Sequence, residues 1–306
     1  MARSAFPALA EGVYAALATP RRKDSIEPDI AALFDYLDVV VRAGVDGLAL
    51  FGSTGEFVHF DVTERIRTLG LAIRRSRVPV LVNVSHSTLD GALALAEGAI
   101  DVGAAGLLVM PPYFYRYPDG EIFRFYLQFV EVVEQRVPVY LYNAPAYTNP
   151  ISGPLAERLL GTGLFAGIKD SSGDWEMFQK LNDLRHRQDF RLLSGNERIY
   201  ARSRASGACG IVSGVAAAVP ELIVAMDRAA REGRQDRVKA LDEELQRFLD
   251  WISKFPATIG IKQTAVLRGW NQDHSALPLD EGDLADLEKF KAWLRDWLLA
   301  VVKECS

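Results

Sequence analysis

The sequence predicts an α/β fold, a (β/α)8 TIM barrel with a C-terminal helical extension, on three observations. Short apolar runs alternate with segments of helical spacing eight times before about Arg231. Each run is continuously apolar, the pattern of strands buried on both faces of a parallel sheet beneath helices. The first strand-to-helix turn also lacks a Gly-x-Gly-x-x-Gly fingerprint, which disfavours a doubly wound open sheet, the runner-up.

The elements follow in order. Gly12–Thr19 reads as a first strand stopped by Pro20, and Pro28–Ala43 as a helix ended by Gly44. Asp46–Phe51 is a second strand, followed by Gly52-Ser-Thr-Gly-Glu56 and a helix over Thr63–Ser76 with Thr63 as its N-cap. Val78–Asn83 and Gly106–Met110 are the third and fourth strands, with helices at Leu89–Val102 and Asp119–Glu134. Val137–Tyr142 is the fifth strand, followed by Asn143-Ala-Pro145 and a short helix over Gly153–Leu160. Phe165–Lys169 is the sixth strand; Asp170-Ser-Ser-Gly-Asp174 then caps a helix over Trp175–Arg187. Phe190–Leu193 and Gly210–Ser213 complete the strands, with a helix running to Ser206 and another from about Pro220. Helices at 234–255, 259–268 and 283–302 make the tail. This places a catalytic barrel at residues 1–230 and a helical domain at 231–306.

Composition narrows the class. The chain has 306 residues, 49% hydrophobic and 25% charged, enough to bury a full core. A net charge of −5 argues against a nucleic-acid surface. Two cysteines, Cys209 and Cys305, give no disulfide framework, so a reducing cytoplasm is expected. The stretch before Glu11 lacks the long apolar core expected of a signal peptide, and no apolar run approaches membrane-spanning length. The four histidines are scattered, without metal-ligand spacing, so no metal is expected.

In a (β/α)8 barrel the chemistry sits at the C-terminal ends of the strands. The residues there are Ser53 and Thr54 between glycines, Tyr113, Tyr142, Lys169 and Gly195. Lysine is scarce, with none between Lys23 and Lys169. An amine at an apolar strand tip is partly desolvated, which disfavours its charged form and frees it to attack a keto group. Hydroxyls and open backbone donors around it suit a keto acid, and a tyrosine can move protons. The plain alternative is a lysine whose stem packs on apolar surface while its head reaches water.

Four motifs carry a resemblance: Gly52-Ser-Thr-Gly-Glu56, Tyr142-Asn-Ala-Pro145, Gly167-Ile-Lys-Asp170 and Ser194-Gly195. Together, in this order and each at a strand end, they make the chain resemble the dihydrodipicolinate synthase / N-acetylneuraminate lyase family of Schiff-base pyruvate lyases. The resemblance implies a homo-oligomer, usually a tetramer, with no cofactor beyond a covalent lysine imine. It implies that Lys169 forms the imine with pyruvate and Tyr142 relays protons. Ser53 would hydrogen-bond that tyrosine, Thr54 would hold the pyruvate carboxylate, and Tyr113 would reach across a dimer interface. Val212 would line the pocket near the lysine, beside Gly195.

Two positions depart from the pattern. Tyr147 stands where dihydrodipicolinate synthase proper has an arginine for the carboxylate of its aldehyde; one hydroxyl cannot replace a bidentate clamp. Asn196-Glu197-Arg198 does not match the acidic pair of sialic-acid lyases. The expected function is thus a pyruvate-dependent lyase or aldolase acting on a small-molecule keto acid and aldehyde. A 2-keto-3-deoxy sugar acid aldolase or dehydratase is the alternative. So are a synthase that uses Arg116 for the aldehyde carboxylate, a non-catalytic keto-acid sensor, and a barrel gripping phosphate at Gly195 and Gly214. Lys262, in a second Ile-Lys run, is expected to be solvated, His59 to be a loop histidine, and Glu56 to cap a loop.

Overall fold

The structure, a computed structural model, describes residues 11–305 apart from 24, 26 and 257. The reading of the stretch before Glu11 therefore lies outside the described residues.

Eight parallel strands close into a barrel in sequence order. They are β1 (Gly12–Ala16), β2 (Gly47–Leu50), β3 (Val80–Asn83), β4 (Gly106–Val109), β5 (Val139–Asn143), β6 (Gly167–Asp170), β7 (Arg191–Ser194) and β8 (Gly210–Ser213). β1 meets β8 with Val13 beside Ile211, which leaves no open edge. Nearly every strand residue is buried, as the unbroken apolar runs require. Each fully buried Val, Leu, Ile or Phe side chain contributes about 1.5–3 kcal/mol over its exposed state. Gly47 keeps a place for an aromatic ring: a Cβ there would lie 2.1 Å from the Tyr14 ring.

The helices are α1 (Ile30–Arg42), α2 (Val62–Arg75), α3 (Leu89–Asp101), α4 (Asp119–Val133), α5 (Gly153–Leu160), α6 (Trp175–Arg185), α7 (Tyr200–Ala205), α8 (Val215–Ala218) and α9 (Pro220–Arg231). Asp29, Thr88, Ser152 and Asp174 cap α1, α3, α5 and α6 through side-chain oxygens. Each such cap contributes about 1 kcal/mol. The cap of α2 is Asp61, which accepts from Glu64 N, and not Thr63, which lies inside the helix. An aspartate also suits the positive end of the helix dipole. The single helix expected before Ser206 is a 3-10 turn at Glu197–Ile199 leading into α7, and α8 is an additional short helix.

Beyond α9 come α10 (Gln235–Ile252), α11 (Ile259–Leu267) and α12 (Glu281–Cys305). α10 and α12 pack on α9, and α12 joins α10 through stacked Phe248 and Trp297 rings 5.2 Å apart. α11 is buried from Ile259 to Ala265 and crosses α10 closely; a Cβ at Gly260 would lie 2.5 Å from Ile252 Cγ2.

Candidate active site

The site starts from strand register. Tyr142 on β5 pairs with Lys169 on β6, so both side chains leave the same face. The next pair, Asn143 and Asp170, leaves the other face. Asn143 Nδ2 donates to Asp170 Oδ1 at 2.7 Å, and Asn143 Oδ1 accepts from Ile151 N at 3.0 Å. Asp170 Oδ2 also accepts from Ser172 Oγ at 2.7 Å. Burial pushes the Asp170 carboxyl above its ordinary value, while the Ser172 and Asn143 hydrogen bonds pull the other way. This outer pair fastens the loops after β5 and β6, and the inner pair is left aimed into the mouth of the barrel.

Lys169 is only 4% exposed, and its Nζ lies 3.8 Å from the centre of the Tyr142 ring. Among the described residues it forms no ion pair. Ser53 Oγ and Tyr142 Oη are hydrogen-bonded at 3.1 Å, with either atom able to donate. Burial alone would raise the Tyr142 phenol. The nearby Lys169 charge and the Ser53 hydrogen bond, with the Lys169 and Ser171 polar groups close by, outweigh it and hold the phenol below its ordinary value. Ser171 Oγ is buried near that phenol and has no hydrogen-bond partner among the described residues.

A cavity of about 480 Å³ opens onto this pair. Lys169, Tyr142, Ser53, Thr54, Gly195, Val212 and Tyr147 all line it. Gly195 is there for space: a Cβ would lie 2.8 Å from Lys169 Cε and 2.0 Å from Ser171 Oγ. A Cβ at Gly214 would lie 2.9 Å from Thr54 Oγ1. Both glycines thus leave room for the chain's own side chains.

Tyr113 does not line this cavity. It lines a neighbouring one of about 410 Å³ that shares Ser53 and Tyr147, and its ring stands edge-on to Phe57 at 5.7 Å. Burial raises its phenol above the ordinary value. Next to it, Phe114 is 86% exposed and holds a left-handed backbone at φ 81°. Tyr147 is 57% exposed at the rim, its phenol raised by burial and then by Tyr142. Arg116 is exposed, donates to Thr148 O at 3.4 Å and lines neither cavity.

Lys262 is not solvated. It is 3% exposed, and its Nζ donates to Glu56 Oε2 at 2.8 Å and to His274 O at 3.1 Å. Glu56 is therefore paired with the tail rather than merely capping its own loop. His59 stands 3.9 Å from Glu56 Oε1, and burial lowers its pKa.

Sequence reasoning missed Ser171, although it lies two residues beyond Lys169 and so shares its side. It also missed the tail's share: Leu249, Ile252, Phe255 and Ile261 line the Lys169 cavity. Helical spacing reveals a buried face but not what the face covers, so no local signal marked them. Arg198 at the mouth is tied to Asp250 at 2.6 Å. A larger groove of about 670 Å³ lies outside the barrel between α5 and α6, lined by solvated charges such as Lys180 and Arg187. Among the described residues no three His, Cys, Asp or Glu side chains are grouped to hold a metal ion, and no helix is long and apolar enough to cross a membrane.

A closed (β/α)8 barrel with a buried amine against a phenol at its strand tips defines a class of barrel enzyme that works on carbonyl compounds. The comparisons narrow it. The sequence profile of the dihydrodipicolinate synthetase family matches residues 9–296. A DapA-like lyase of Chloroflexus aurantiacus is 32% identical over 266 residues, 81% of this chain and 88% of the relative. A 4-hydroxy-tetrahydrodipicolinate synthase of Methanosphaerula palustris is 31% identical over 277 residues, 89% of this chain and 94% of the relative. Among solved structures, YagE, a prophage protein of the same family from E. coli crystallised with pyruvate, superimposes with TM-score 0.86 at 26% identity. The match covers 95% of this chain and 100% of YagE. The chain belongs to the dihydrodipicolinate synthetase family, and it is a lyase of that family.

Proposed function

We propose that Lys169 captures pyruvate as an imine and that the resulting enamine joins, or is released from, an aldehyde. The observation that carries this is the Lys169 amine, buried without a carboxylate partner among the described residues, 3.8 Å from the Tyr142 ring. The amine adds to the keto carbon, the carbinolamine loses water, and an iminium remains. A proton leaves the pyruvate methyl as the iminium takes up the electron pair, giving an enamine. The enamine carbon then bonds to the aldehyde carbon, whose oxygen takes a proton, and water releases the product and restores the amine. Tyr142, hydrogen-bonded to Ser53, passes these protons. Thr54 holds the pyruvate carboxylate, Gly195 leaves room for the imine, and Val212 walls the methyl side. Tyr113 and Tyr147 act toward the second substrate from the adjoining cavity. The chain needs no cofactor and acts in the cytoplasm; its two cysteines are free and buried. A second copy of the chain covers the exposed Phe114 and Tyr115.

The aldehyde is an uncharged hydroxylated one, released from a 2-keto-3-deoxy sugar acid. Support comes from the cations: the other one in the cavity lining, Arg198, is already paired with Asp250, and Arg116 donates to the Thr148 carbonyl. Hydroxyl and amide groups of Ser171, Ser172, Asn196 and Ser253 line the same space. The names of the relatives favour a second reading, condensation of pyruvate with aspartate semialdehyde. Mass spectrometry after borohydride trapping across 2-keto acids tests the imine, with pyruvate expected on Lys169. Release of pyruvate from 2-keto-3-deoxygluconate, set against consumption of aspartate semialdehyde, separates the two partners. Imine without proton exchange at the pyruvate methyl would leave a sensor.

A further inference from the structure

The loop that carries Ser53 is held from an unexpected side. Glu56 closes that loop, its N–H donating to Ser53 O at 3.0 Å, and takes a left-handed backbone at φ 54°. Its carboxylate is buried and accepts from Lys262 Nζ at 2.8 Å and from Thr258 Oγ1 at 3.2 Å. Thr258 is itself left-handed, at φ 74°. Both donors lie at or just before α11, some two hundred residues further along the chain. Lys262 also donates to His274 O, so the pair ties the segment after α11 as well.

Burying two charges costs desolvation that their attraction only partly repays, so such a pair is weak evidence for stability. Its directional bonds instead fix geometry, and here they hold the end of the loop, where Glu56 is a non-glycine residue in the left-handed region. Phe51, at the other end of the loop, is left-handed at φ 54° and is pinned by Asn83 Nδ2 donating to its carbonyl at 2.7 Å. Between these two anchors sit Ser53 and Thr54. From Ser53 the contact continues to Tyr142 and on to Lys169.

We propose that Glu56 and Lys262 are positioning residues: the tail helix, through a buried ion pair, sets the Ser53 hydroxyl against the Tyr142 phenol. This rests on the reading that Ser53 and Tyr142 pass protons, whereas Lys169 alone forms the imine. The pair therefore governs proton transfer and leaves imine capture alone.

The test uses the full chain with Lys262→Met, Glu56→Gln and the double variant Glu56→Gln/Lys262→Met, which removes both charges and leaves neither orphaned. Three readouts are compared on variants whose circular dichroism matches the parent. Borohydride trapping of pyruvate is expected to stay within about 3-fold, since Lys169 is untouched. Exchange of the pyruvate methyl protons with deuterated water is expected to fall about 10²-fold, the cost of an ångström-scale misplacement. A crystal structure of the double variant is expected to show the Ser53–Tyr142 hydrogen bond lost. Exchange at the parent rate in the folded double variant, or an intact Ser53–Tyr142 contact in its crystal, would overturn the proposal. If the parent fails to trap pyruvate, the pyruvate reading falls, and the crystal contact still decides the positioning role.

Discussion

Two lysines divide the molecule's labour. Lys169 follows Gly167-Ile168 on β6, and Lys262 follows Gly260-Ile261 on α11. They are almost equally buried, 4% and 3% exposed. Lys262 faces a carboxylate at 2.8 Å and a backbone carbonyl; Lys169 faces an aromatic ring and a phenol. The Glu56 carboxylate and the His274 carbonyl occupy the hydrogens of Lys262, whereas no carboxylate among the described residues ties up Lys169. Partner, not burial, separates the proposed nucleophile from the proposed tether.

The sharpest break of this comparison is Lys169→Ala. It should reduce turnover to background and abolish borohydride trapping, while Lys262 remains unlabelled in the same peptide map. Trapping that moved to Lys262, or survived in Lys169→Ala, would erase the distinction. Tyr142→Phe comes next. Removing a positioned general acid–base typically costs about 10²–10⁴-fold. The loss should appear in kcat and in methyl exchange, with the imine still trapped, because the ring against Lys169 is retained. Equal loss of trapping would mean that the phenol serves imine formation itself.

Gly195→Ala probes the space around the reactive amine. The added methyl would lie 2.8 Å from Lys169 Cε and against Ser171 Oγ, so the lysine stem must shift. A fall in kcat/KM of about 10²-fold is expected for a misplacement of that size, with melting temperature little changed. Unaltered kinetics would show that Lys169 has more freedom than its packing implies.

Much of this was legible in the sequence, for a physical reason. Strands buried on both faces must be apolar runs, so the eight strands and their order could be read, and Lys169 at a strand tip stood out against them. Pairing of Tyr142 with Lys169 followed from adjacent strands of a closed barrel. Lys262 was not legible. A lysine in a helix reads as a solvated face, and only the fold reveals that α11 is enclosed on all sides and that Glu56 waits opposite it. The cap of α2 was misplaced because Asp61 and Thr63 are both capping residues, and only backbone geometry chooses between them. Tyr113 and Phe114 are neighbours in one aromatic run, and sequence does not say which ring packs on Phe57 and which stands in solvent.

The last contrast is in stability rather than in rate, and it runs opposite to the catalytic one. Lys262→Met leaves the buried Glu56 carboxylate with the Thr258 hydroxyl but no cation in direct hydrogen-bond contact, and breaking a buried ion pair from one side typically costs about 3–5 kcal/mol. Lys169→Met strands no carboxylate and replaces a desolvated amine by an apolar chain of similar length. Functional sites commonly carry such unfavourable groups, so its stability should match the parent or exceed it by about 1 kcal/mol. Denaturant titration of the two variants side by side measures the difference directly. Equal destabilisation would mean that Lys169 is also held by a compensating partner, and the unpaired amine on which the proposed capture of a ketone depends would not exist.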